Sequence, residues 1–255
     1  MAELLALPRG EAHLWYVRSL EVTEPSLLAA YEALLTPEER ARKARYYFEK
    51  NRHEYLLTRA LCRGVLSRYE PVAPAAWAFS ENSHGRPEIA SPAGNGLCFN
   101  LTNTNGLIAC LVARDREIGV DVEDTERRGE TVVIADRFFS PIEVSALHAV
   151  PEAGQRARFF DYWTLKEAYI KARGMGLAIP LDQFSFLIEP GEPIRIAFDP
   201  RLPDDPSTWQ FVQHRPTGQH LISMAVRRRG EPDVRIVVRR TLPLIPAADV
   251  VEGAA

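Results

Sequence analysis

Three cysteines in 255 residues, none in Cys-x-x-Cys spacing, support neither a disulfide framework nor a zinc site. Cys62, Cys98 and Cys110 read instead as small buried hydrophobes. Long apolar runs are also missing. Leu107 to Ala113 is the longest obvious one, well short of the ~20 residues that cross a bilayer. The N-terminal Met-Ala-Glu-Leu-Leu-Ala-Leu-Pro-Arg has no basic segment before its brief apolar stretch. The expectation is a cytoplasmic chain with no membrane span. Charge of one sign is absent too: 31 basic against 34 acidic residues give a net −3 and exclude a wholesale nucleic-acid binder. His13, His53, His84, His148, His214 and His220 lack HxH or HExxH spacing, and Ser83-His84 lacks a Gly-x-Ser-x-Gly elbow, so zinc-protease and serine-hydrolase chemistry have no support. Lysine is scarce, at four residues (Lys43, Lys50, Lys166, Lys171) against 27 arginines, and two of the four fall within six positions. The rest is ordinary. Hydrophobic residues at 46% and charged residues at 25% match a soluble globular protein of one large domain or two small lobes.

Thr36-Pro37-Glu38-Glu39 carries a helix start, with Thr36 as N-cap, Pro37 at the first helical position and Glu39 completing a capping box. A break is expected near Lys50-Asn51. From Arg52 onward, Leu57, Leu61 and Val65 share an arc of about 80°, while Arg52, Arg59 and Arg63 share about 40° on the opposite side. That helix should end near Tyr69-Glu70-Pro71. The segment from Pro37 to Arg68 holds nine basic and four acidic residues, and its arginine stripe reads either as a solvated face or as a phosphate-binding surface. Pro71 to Gly96 reads as mostly loop, with a turn at His84-Gly85-Arg86-Pro87. Leu107 to Ala113 and Ile118 to Glu123, joined by Arg114-Asp115-Arg116-Glu117, read as a hairpin. A second helix from about Arg156 to Arg173 stops at Gly174-Met175-Gly176. Further strands follow at Phe184 to Ile188, His220 to Val226 and Val234 to Arg239, then a frayed tail from Leu242. Helices inserted singly among strands argue for an α+β fold with antiparallel sheets.

In Gly119-Val120-Asp121-Val122-Glu123, strand alternation puts Asp121 and Glu123 on one face, Cα atoms ~6.6 Å apart. They read either as the acidic outer face of an amphipathic strand or as ligands of a hard cation such as Mg²⁺. On the second helix, with Trp163 as origin, Phe159, Ile170, Glu167 and Phe160 lie at about −40°, −20°, +40° and +60°, so Glu167 falls on the apolar face. A buried carboxylate needs a compensating partner. Lys171, one turn later, is the simple one; a metal shared with Asp121 and Glu123 is the functional one. Three carboxylates beside an arginine stripe suggest Mg²⁺-assisted chemistry on a phosphate ester or anhydride. Arg227-Arg228-Arg229 reads as the end of a solvated strand or an aid to docking an acidic partner.

Gly119-Val120-Asp121-Val122-Glu123 resembles the G-[IV]-D-[ILV]-E motif of the Sfp-type phosphopantetheinyl transferases, and Trp163-Thr164-Leu165-Lys166-Glu167-Ala168-Tyr169-Ile170-Lys171 resembles their W-[ST]-x-K-E-[AS]-x-x-K. Phe138-Phe139-Ser140-Pro141-Ile142-Glu143, Gly85-Arg86-Pro87 and Phe99-Asn100-Leu101-Thr102 match in the expected order, and the resemblance spans roughly Leu35 to Ile188. It implies transfer of the phosphopantetheine arm of coenzyme A to a serine of an apo acyl or peptidyl carrier protein, leaving adenosine 3′,5′-bisphosphate. It also implies an α+β pseudo-dimer of two similar lobes, each a small mainly antiparallel sheet packed with a long helix, with a coenzyme A cleft between them. The lobes would be 1–117 and 118–241, with a flexible tail at 242–255, in a monomer without nucleic-acid or membrane partners. Asp121, Glu123 and Glu167 would hold Mg²⁺, Lys171 would contact phosphate with Lys166 nearby, and Glu143 or Glu167 would be the base for the serine proton. Arg52, Arg59 and Arg86 would hold the coenzyme A phosphates. The family usually has a histidine after the residue equivalent to Thr102, near the nucleotide phosphates. Asn103 stands there instead, a hydrogen-bond donor without positive charge. The alternatives are a coenzyme A or carrier-protein binding module that has lost turnover, and another Mg²⁺-dependent phosphoryl-transfer enzyme.

Overall fold

A computed structural model describes residues 4–92, 95–230 and 232–254. In chain order the elements are β1 (Glu11–Arg18), α1 (Pro25–Leu34), α2 (Pro37–Ala44), α3 (Glu49–Leu66), β2 (Ala78–Glu81), β3 (Pro87–Ser91), β4 (Leu97–Thr104), β5 (Leu107–Arg114) and β6 (Ile118–Asp124). There follow α4 (Val132–Phe138), α5 (Pro141–His148), α6 (Glu152–Arg173), β7 (Phe184–Leu187), β8 (Arg195–Phe198), β9 (Trp209–His214), β10 (His220–Arg227), β11 (Arg235–Leu242) and β12 (Ile245–Ala254). The α+β expectation holds. Among the described residues no helix is long and apolar enough to cross a membrane.

The chain divides into two compact units, Met1–Asn82 with Pro87–Asp115 and Arg235–Ala255, and Ser83–Arg86 with Arg116–Val234. In the first, a sheet of order β12-β11-β1-β5-β4 packs against α3. Leu57, Leu61 and Val65 meet Trp15, Val17, Ile108 and Cys110 in one core, each fully buried aliphatic contributing ~1.5–3 kcal/mol. The capping box of α2 forms between Thr36 and Glu39. The helix break falls over residues 45–48, earlier than Lys50-Asn51, and α3 ends at Leu66.

Three expectations are corrected here. The expected tail at 242–255 is instead a strand over its described residues: β12 pairs antiparallel with β11, and β11 pairs parallel with β1, so Ile245–Ala254 completes the first sheet. The boundaries at 117 and 241 shift accordingly. The hairpin joining Leu107–Ala113 to Ile118–Glu123 does not form. β5 pairs with β1 and β4, while β6 pairs with β10. β4 and β5 are joined by the tight turn Asn105-Gly106, where Gly106 takes φ +85°, a conformation glycine adopts without steric cost. Within the stretch expected to be loop, Ala78–Glu81 and Pro87–Ser91 pair antiparallel as β2 and β3, and Phe79 packs edge-on to Phe99.

In the second unit α6 lies on the sheet β6-β10-β9. Phe139, Phe159 and Trp163 stack with one another, and Tyr169 packs on Phe184, Phe198 and Trp209. The helix ends at Gly174, φ +65°, whose N–H donates to the Ile170 and Lys171 carbonyls, a left-handed glycine cap.

Candidate active site

The pleat of β6 sends Val120 and Val122 to one face and Gly119, Asp121 and Glu123 to the other. The second face is not an acidic exterior, because α6 covers it. A Cβ on Gly119 would lie 2.0 Å from the Ala168 carbonyl oxygen and 2.4 Å from the Ala172 nitrogen. The glycine is therefore what lets helix backbone touch strand backbone. Trp163, Glu167 and Lys171, four residues apart on one stripe of α6, run along the same face. Trp163 Nε1 donates to Glu123 Oε1 (3.1 Å), and Lys171 Nζ donates to Asp121 Oδ1 (2.6 Å) and the Val120 carbonyl (3.2 Å). Of the two partners open to Glu167, Lys171 acts on it electrostatically while forming an ion pair with Asp121.

Three carboxylates thus share a half-buried space. Burial, then the negative charge of Asp121, raises Glu123 above its ordinary value, against the pull of Arg127 and Trp163. Burial and the charges of Asp121 and Glu123 raise Glu167, while Lys171 opposes them. No group of three or more His, Cys, Asp or Glu side chains among the described residues is arranged to hold a metal ion. The arrangement explains this: Lys171 draws Asp121, and Arg127 Nε, 2.9 Å from Glu123 Oε2, draws Glu123. By chemistry the donor set nonetheless fits a hard divalent cation, being all carboxylate oxygen with an excess of negative charge that raises two of its members.

Lys166 and Glu143, expected at the site, lie outside this space. Both side chains are 0% exposed and 2.7 Å apart. Lys166 also donates to the Leu181 and Phe184 carbonyls (2.7 and 2.8 Å) and sits 4.1 Å above the Phe184 ring. Burial pushes its pKa down, with Glu143 opposing. Glu143 closes the capping box of α5 through Ser140 and accepts from the Phe186 N–H (2.9 Å). Both side chains are thus enclosed and engaged with each other and with backbone groups. Together they tie α5, α6 and β7, and removing one partner would leave an uncompensated buried charge at a cost of ~3–5 kcal/mol.

The arginines separate. Arg86 Nη1 donates to the Ala172 carbonyl (3.0 Å), on the last turn of the helix that carries Glu167 and Lys171. Arg52 is bound to Glu49 and to the Tyr46 and Tyr47 carbonyls, so its guanidinium secures the α2–α3 link. Arg63, expected on the outer stripe, is 1% exposed and bonded to Glu39 and the Trp77 carbonyl. Arg59, over the Tyr55 ring, lines a cavity of about 550 Å³ in the first unit with Arg42, Arg63, Tyr55, Glu39 and Phe79. Thr102 is buried on β4 and Asn103 is exposed beside it. Sequence reasoning missed Arg127 and the hydrogen-bonding role of Trp163. No periodicity links Arg127 to Glu123, since the turn after β6 brings them together.

A strand and a helix bearing these two motifs in this register define a phosphopantetheinyl transferase. The family model described as the 4′-phosphopantetheinyl transferase superfamily matches residues 117–225. The chain is 35% identical over 227 residues to the 4′-phosphopantetheinyl transferase HetI of Nostoc sp., covering 89% of this chain and 92% of that one. It is 32% identical over 177 residues to the 4′-phosphopantetheinyl transferase Sfp of Bacillus subtilis, covering 69% and 75%. The chain belongs to the 4′-phosphopantetheinyl transferase superfamily.

Proposed function

We propose that this transferase moves the 4′-phosphopantetheine arm of coenzyme A to a serine hydroxyl of an apo acyl or peptidyl carrier protein, leaving adenosine 3′,5′-bisphosphate, with Mg²⁺ held by Asp121, Glu123 and Glu167. The observation that carries the reading is the contact of the Trp163–Glu167–Lys171 stripe with the Asp121–Glu123 face, made possible by Gly119. The serine oxygen attacks the phosphorus that bears the pantetheine, and the pyrophosphate P–O bond to the adenosine bisphosphate breaks. When bound, the metal ion supplies neutralisation of the charge that grows on the leaving phosphate. Lys171 adds a compact positive charge to a phosphate oxygen. With Glu143 enclosed, Glu167 is the carboxylate of the pair that remains to accept the serine proton, directly or through water. Arg86 orients coenzyme A beside the end of α6. Within the first unit, Arg59 and Arg42 line a cavity and present guanidinium groups of the kind that bind phosphate, and Asn103 is an exposed polar group on β4.

Incubation with coenzyme A, Mg²⁺ and a panel of apo carrier proteins tests the reading by mass spectrometry. The expected result is one phosphopantetheine arm added to the carrier serine. Glu167→Gln keeps the shape, removes the charge, and should abolish transfer with the fold intact. Turnover of Glu167→Gln at saturating Mg²⁺ would refute the assignment of Glu167. Coenzyme A binding without transfer to any carrier would favour a binding module.

A further inference from the structure

The Lys171 ammonium sits on an oxygen of a carboxylate proposed to hold the metal, 2.6 Å from Asp121 Oδ1 and 3.2 Å from the Val120 carbonyl. Its surroundings make this position conditional. Lys171 is paired where three carboxylates crowd together, and Arg127, the other cation beside them, is occupied by Glu123. The Lys171 side chain is 28% exposed, whereas Lys166, five positions earlier on the same helix, is 0% exposed and held by a carboxylate and two carbonyls. One lysine is locked and the other has an open path. A lysine carries a point charge on a flexible four-carbon stem and can move between partners without the fixed fork an arginine must match.

We infer that Lys171 is the resident counter-cation of this carboxylate cluster, exchanged off Asp121 when a divalent cation binds and thereby released to the phosphate of the incoming substrate. The inference rests on the metal reading above. A divalent ion on Asp121 would face the ammonium as a like charge at contact distance, in a half-buried setting where such repulsion is strong. The ammonium leaves, and a phosphate entering beside the ion meets a cation already freed. Cation and phosphate binding are then reciprocally coupled through one side chain. Without metal, the same ion pair holds α6 to β6.

Two measurements on the full chain without coenzyme A test the exchange. In titration calorimetry with Mn²⁺, Lys171→Met, checked for folding by circular dichroism, is expected to bind the ion roughly tenfold more tightly than wild type, because a competing positive charge is gone. Asp121→Asn is expected to lose binding. Independently, in the wild-type protein, saturating Mg²⁺ should raise acetylation of Lys171 several-fold by peptide mass spectrometry, with the exposed Lys50 unchanged. Equal or weaker Mn²⁺ binding by Lys171→Met, or unchanged Lys171 acetylation while Mg²⁺ is bound, would overturn the exchange and leave the metal site standing. Absence of Mn²⁺ binding by both proteins would overturn the metal site, and the exchange with it.

Discussion

Gly119→Ala is the smallest change that should dismantle the site without touching a charged residue. The added methyl would lie 2.0 Å from the Ala168 carbonyl oxygen, 2.4 Å from the Ala172 nitrogen and 3.0 Å from the Ala172 Cα. A carbon–oxygen contact settles at ~3.3–3.6 Å, so α6 must recede by more than an ångström. Its backbone cannot turn aside as a flexible side chain would. Overpacking of this kind costs about 1–3 kcal/mol of stability. The larger effect is on geometry: α6 carries Trp163 and Glu167, so its displacement moves Glu167 away from Asp121 and Glu123 and stretches the 3.1 Å Trp163–Glu123 hydrogen bond. A 1 Å misplacement at a reacting centre costs ~100-fold in rate. The assay is phosphopantetheinyl transfer to an apo carrier protein, read as kcat and KM beside a thermal melt. A folded variant with kcat down ~100-fold is expected. Gly10→Ala, with nothing within 4 Å of the added methyl, should match wild type. Gly119→Ala with more than half of the wild-type kcat would refute the argument that this glycine sets the helix–strand spacing.

Lys166→Met leaves Glu143 buried without its cation and should lower stability by ~3–5 kcal/mol in chemical denaturation, whereas Lys166→Met with Glu143→Gln, which drops the charge but keeps an acceptor oxygen for Ser140 and Phe186, should recover much of that loss. Equal stability of the single and double variants would contradict the buried pair. His13, buried against Tyr69 and Glu11, has its pKa lowered from 6.5, first by burial. The folded state therefore holds it neutral while the unfolded chain takes up the proton. Its contribution to stability is complete above pH 6.5 and is lost as pH falls through the depressed folded value. His13→Gln should flatten the dependence of denaturation midpoint on pH in that acidic window, and an unchanged slope would refute the assignment. Asn103→His adds a cation at an exposed position of β4 and should lower KM for coenzyme A several-fold at pH 6 with kcat unchanged; an unchanged KM would remove Asn103 from the coenzyme A contacts.

Features with short-range causes were legible in the residues. The capping box of Thr36 and Glu39, the terminal Gly174 and the two motif-bearing elements each follow from groups within a turn or a pleat of one another. Lys166 shows the limit. Its helical phase, about −60° from Trp163, places it with Phe159 and Ile170, but no local pattern names its partner, because Glu143 comes from another helix. Arg63 likewise falls on a basic stripe of α3, but α2 brings Glu39 over it. The role of β12 depends on strands more than 200 residues apart in sequence, since β11 must first pair with β1.

The sequence by itself determined the family, the two motif elements and the face on which each carboxylate stands, because periodicity and caps are local properties of a chain. Only the tertiary structure decided which cation each carboxylate meets. Asp121 could have met Lys166, Lys171 or an arginine. The choice depends on how closely α6 approaches β6, and that distance is set by a side chain Gly119 does not have.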